Sequence, residues 1–67
     1  MSFIVIADRI INLMTISLVE YNEGDDYAPS ELLIHISGMP AALSYHGDLA
    51  DESWVRLRSM AVPLRRV

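Results

Sequence analysis

Apolar runs alternate with short polar breaks along this 67-residue chain, and the period of each run predicts its structure. "FIVIAD" (about 3–8) is short and rich in β-branched residues, long enough for a strand and too short for a helix. A second strand is predicted over about 10–21. Within it Ile11 and Leu13 share one parity, and Ile16 and Leu18 share the other. That phase switch places a bulge or bend near Met14 and Thr15. Ile10, Leu13, Met14 and Ser17 also fit a 3.6-residue period, but β-branching decides for strand. Residues 22–30, with acids around Gly24 and Pro29, read as a surface loop.

The next strand, about 31–37, sorts cleanly: Leu32, Ile34 and Ile36 on one face, Leu33, His35 and Ser37 on the other. "GMP" turns the chain, which returns as a strand over about 42–46. A helix is predicted over about 48–61. Asp48 stands at its N-cap, Asp51 and Glu52 fall in the first turn where the dipole favours anions, and Glu52 and Arg56 form an i,i+4 pair. Ala50, Trp54, Leu57 and Ala61 make one apolar stripe, with Trp54 as the main core residue on the sheet. Pro63 stops the helix, and residues 62–67 read as a tail rather than a swapped arm. The chain is therefore a single α+β domain: a small antiparallel β-meander of three to four strands followed by one C-terminal amphipathic helix.

Register governs whether the two histidines can meet. With Gly38 to Ala41 as the turn, Ser37 pairs with Ala42, Ile36 faces Leu43 and Ile34 faces Tyr45. A one-residue slip would mix apolar and polar faces. In the favoured register His35 lies opposite Ser44 and His46 opposite Leu33, so the histidines are diagonal neighbours, roughly 7 Å apart at their bases. The ligand count argues against zinc, which needs three or four protein ligands, because there is no cysteine and no third histidine. Ser44, His46 and Asp48 supply the residue types of a triad. They lie two apart at one strand end with no nucleophile elbow, which argues against catalysis. "EGDD" lacks the alternating acids of a calcium loop. No catalytic residue, metal or cofactor is assigned.

Composition changes the picture in one respect. A domain this small buries only about 60% of the surface its unfolded chain exposes, yet 52% of these residues are hydrophobic. Disulfides and thiolate zinc are unavailable to strengthen the core, since cysteine is absent, which suits a reducing compartment. A membrane span is disfavoured, because Asp8, Arg9 and Asn12 interrupt the first apolar stretch well short of the roughly 20 residues required. No basic segment precedes that stretch, which disfavours a signal peptide. The expected setting is cytoplasmic, and the apolar excess is expected to meet a second copy, in a homodimer or higher homo-oligomer.

Net charge is −4, with all nine acids at or before Glu52 and four of the five arginines after it. Four arginines on an acidic chain make too weak a basic footprint for nucleic acid, and they suit the acidic half of a neighbouring subunit equally well.

The order "INL..I..VEY", a polar gap, "LLIHISG", "ALSYHG" and "LADESWVRL" resembles short β-meander-plus-helix proteins, including the small flagellar-regulator FlbD type. The loop at Glu23 to Ser30 is longer than that type shows, and its lysine-rich surface is missing. The resemblance implies a small interaction or regulatory module and transfers no functional residues. The expected function is thus a non-enzymatic, homo-oligomeric interaction or regulatory module that also admits a different protein partner. Its expected interface lies around Leu33, His35, Ser44 and His46, where protonation at about pH 6 would set like charges together. The alternative is a ligand-binding or enzymatic site at a subunit interface, completed by His35 and His46 from neighbouring chains.

Overall fold

The computed structural model describes residues 2–60. Strand β1 (Phe3–Ile6) and strand β2 (Arg9–Asn12) form an antiparallel hairpin, and a 3-10 turn follows over Leu13–Thr15. Strands β3 (Ile16–Asn22), β4 (Glu31–Ile36) and β5 (Leu43–His46) make an antiparallel sheet in that order, and helix α1 (Asp48–Met60) closes the described chain. The α+β class and the meander-then-helix order stand. The single strand expected over 10–21 is two strands, so five strands divide between a hairpin and a three-stranded sheet. Ala61, Pro63 and the expected tail lie outside the described residues.

The bend forms where the apolar parity switches, and local polar groups hold it. The Asn12 side chain accepts the Met14 N–H at 3.0 Å, and the Thr15 hydroxyl donates to the Asn12 carbonyl at 2.7 Å. A second irregularity lies between Ile16 and Leu18, where β3 inserts Ser17 as a bulge against β4. Beyond it Val19 and Tyr21 pair with Ile34 and Leu32 and pack on the core, while Leu18 and Glu20 take the outer face with His35 and Leu33.

The β4–β5 register corrects the sequence expectation by two residues. Ile34 pairs with Leu43, Leu32 with Tyr45, Leu33 with Ser44 and Glu31 with His46. Ser37 sends its N–H to the Thr15 carbonyl at 2.8 Å, on the β3 side of β4. Gly38, at φ 86°, and a Met39 N–H bond to the Ile36 carbonyl at 3.0 Å then start a longer turn. A two-residue shift preserves parity, so the facial assignment survives while the partners change.

Central strand β4 buries Leu32 and Ile34 completely. Hairpin residues Ile4, Ile6 and Ile11 and helix residues Ala50 and Leu57 complete the buried apolar core. The helix stripe is centred one position from the expectation, on Ala50, Ser53 and Leu57. Trp54 is half-buried at the β3 margin and stacks on Tyr21, with ring centroids 5.1 Å apart and planes 5° from parallel. With the hairpin supplying the bulky isoleucines, the helix needs small residues to approach the sheet. Asp48 is also corrected. It is the first helical residue, and Gly47, at φ 67°, holds the cap position, its carbonyl accepting the Asp51 N–H at 3.0 Å.

Two backbone positions yield a prediction of opposite signs. Ala7, in the two-residue hairpin turn, has φ 55°, a left-handed conformation that costs an L-residue about 1–2 kcal/mol. Ala7→Gly should therefore raise stability, by about 1 kcal/mol after the unfolded-state entropy of glycine is subtracted. A β-carbon at Gly24 would lie 2.6 Å from the Ser30 nitrogen and 2.7 Å from the Ala28 carbonyl oxygen, both backbone. Gly24→Ala should lower stability by about 1–3 kcal/mol. Thermal melts of both variants check this, at roughly 4–8 °C per kcal/mol for a domain of this size.

Candidate functional site

The outer face of the three-stranded sheet carries the residues singled out in the sequence. Leu33, His35, Ser44 and His46 do share that face, as parity requires. The histidines do not meet. His46 lies opposite Glu31, four residues along β4 from His35, which is roughly 13 Å at a strand rise of about 3.3 Å per residue. Each faces a carboxylate instead: His35 Nε2 is 2.8 Å from Glu20 Oε1, and His46 Nε2 is 3.5 Å from Glu31 Oε2. Both pairs are partly exposed to solvent, so each contributes at most about 1 kcal/mol. A protonated imidazole here meets an anion, not a second cation, and the expected like-charge repulsion is lost within the protomer.

The residue types of a triad are not brought together on this face. His46 is turned to Glu31 rather than to Ser44, and Asp48 lies beyond Gly47 in the helix. Among the described residues no group of three histidine or acidic side chains is placed to hold a metal ion.

The acidic loop and the start of α1 form a second polar surface, an open depression lined by Tyr21, Glu23, Asp25, Ser30, Asp48 and Asp51. Asp25 is occupied by its own loop, where Oδ1 accepts the N–H groups of Tyr27 and Ala28 at 2.8 and 2.9 Å. The Tyr21 hydroxyl donates to Asp51 Oδ1 at 2.6 Å, tying β3 to the helix N-terminus. Hydrogen bonding from Ser30 first, and from Tyr21 second, holds the Asp51 carboxyl below its ordinary range. The bond to Asp51 is the main reason the Tyr21 phenol titrates above its own. These contacts are structural.

The apolar surfaces were not singled out from the sequence. On the β1–β2 hairpin, Phe3, Val5 and Ile10 project away from the core and are 53%, 50% and 72% exposed. A signal was present: "FIVI" is apolar at both parities, so one strand face must lie away from any single core. An open groove of about 410 Å³ runs between β3 and α1, lined by Leu13, Ile16, Val19, Trp54, Leu57 and Met60 with Arg58. No described helix is long and apolar enough to cross a membrane.

No protein-family model, curated protein or solved structure matches this chain.

The Tyr21–Asp51 contact predicts a pH profile. The lowered Asp51 value adds stability that is complete above the ordinary carboxylate range and is lost as pH falls through the lowered value. The raised Tyr21 value adds stability that is complete below the ordinary phenol range and is lost as pH rises through the raised value. The melting temperature of Asp51→Asn should therefore fall furthest below wild type at neutral pH. The two should converge in acid, measured by thermal melts across the carboxylate range.

Proposed function

We propose that this chain is a small, non-enzymatic, homo-oligomeric interaction module of the cytoplasm, and that it makes contact through the outer face of the β1–β2 hairpin rather than through the histidine face. The observation that carries this reading is the exposure of Phe3, Val5 and Ile10 side by side on one two-stranded element. Cross-strand apolar pairs left in water are a standing cost, and covering them favours association. The histidine face suits an interface less well, because its charges pair within the protomer and leave mainly Leu18 and Leu33 as apolar contacts. The non-enzymatic part of the proposal is supported by the dispersal of Ser44, His46 and Asp48. The cytoplasmic part rests on the cysteine-free composition. A regulatory role is what the resemblance to small flagellar regulators implies, and it belongs to the same proposal.

Sedimentation of wild type across micromolar concentrations should show a concentration-dependent dimer. Ile10→Lys, which changes a 72% exposed side chain, should leave the melting temperature of the monomer nearly unchanged and abolish that dimer. His35→Ala should leave association intact. A folded protein that remains monomeric at every concentration would refute the proposal.

A further inference from the structure

The backbone of β1 specifies how a second copy would add to it. In an antiparallel pair the N–H and C=O groups of successive residues point alternately toward the partner strand and away from it. The Ser2 carbonyl accepts the Leu13 N–H at 3.0 Å, so even-numbered positions of β1 face β2. The groups of Phe3 and Val5 therefore point outward, along an edge that no strand covers among the described residues. Arg56 agrees with this direction: its Nη1 donates to the Val5 carbonyl at 3.0 Å from outside the hairpin. The remaining outward groups of Phe3 and Val5 have no strand partner among the described residues, and the side chains of the same two residues are half-exposed and apolar. An open edge combined with an apolar face is a template for strand addition.

We infer that two copies pair antiparallel through β1, edge to edge, joining the hairpins into one four-stranded sheet. This rests on the homo-oligomeric reading above and assigns its geometry. Phe3 of one copy pairs with Val5 of the second, and Val5 with the second copy's Phe3, so that the twofold axis passes through Ile4. This register alone uses both outward residues of both copies. A shift of two in one direction sets Val5 against Met1, outside the described residues, and a shift in the other sets Phe3 against the Ala7 turn. Four backbone hydrogen bonds form, and the Phe3 and Val5 side chains of the two copies lie side by side on the outer face, flanked by each Ile10. The edge is self-complementary, as a twofold contact requires, and no charged side chain lies within Phe3–Ile6 to select a different peptide. A carbonyl oxygen has two lone pairs, so Val5 can accept the incoming N–H while keeping Arg56. Three exposed side chains per copy fall well short of the roughly 800 Å² per partner of a standard interface. The dimer is accordingly of the weak, micromolar class and depends on its hydrogen bonds.

Amide hydrogen exchange on the wild-type protein reads this directly. The Phe3 and Val5 amides should exchange quickly when dilute and become protected as concentration rises, whereas the Ile4 and Ile6 amides, already in the hairpin ladder, should change little. Val5→Pro and Phe3→Pro each remove one outward N–H, and proline is tolerated at a strand edge or first strand position. Each substitution deletes two of the four intermolecular bonds and should weaken dimerisation roughly 30-fold. If wild type dimerises but neither amide gains protection, the pairing is overturned while the homo-oligomeric reading stands. Folded proline variants that dimerise as wild type does would overturn the pairing in the same way. If wild type never associates, both fall.

Discussion

The reversal at Leu13–Thr15 is the constraint on which the rest of the structure depends. It takes a chain that would otherwise continue as one long strand and folds its first half over the sheet made by its second. Few groups hold it: Asn12 brackets the turn with its side chain and carbonyl, Ser2 receives the Leu13 N–H, and the Thr15 carbonyl receives Ser37. The Ser37 contact carries the bend into the β4–β5 connection.

That folding-over explains how so small a domain finds a core. The three-stranded sheet places Leu32 and Ile34 of its central strand on the covered face, and two separate elements share the cover. The hairpin contributes Ile4, Ile6 and Ile11, while the helix contributes Ala50 and Leu57. Splitting the cover lets the helix be polar over most of its surface. The division has a consequence at the margin, where Val19, Ile16 and Leu13 are only partly covered and an apolar groove remains. It also gives the hairpin two apolar faces with one core to serve, so Phe3, Val5 and Ile10 are left outward.

The histidine face shows how facial parity and chemistry can come apart. His35 and His46 stand on one side of one sheet, yet a two-residue difference in the β4–β5 register separates them and sets His46 opposite Glu31, while β3 supplies Glu20 to His35. Such a face is held by weak, screened pairs that shape a surface without concentrating reactivity. Asp25 and Asp51 behave alike at the acidic end, where each carboxylate serves a loop or helix contact.

Local patterns in the sequence determined a good deal: the α+β class, the order of elements, the face of each β4 side chain, the acidic loop and the helix from Asp48. Each is written in a short window, as alternation, a turn residue or a 3.6-residue stripe. The phase switch at Met14–Thr15 was legible too, but only as an irregularity. What lay beyond local reading was everything requiring two distant segments. The β4–β5 register is one case, because alternation repeats every two residues and cannot distinguish registers that differ by two. The hairpin packing over β4 decided that Ser53 rather than Trp54 would centre the helix stripe. It also decided that the odd residues of β1 would face water, since a strand apolar on both sides does not say which side the core will take.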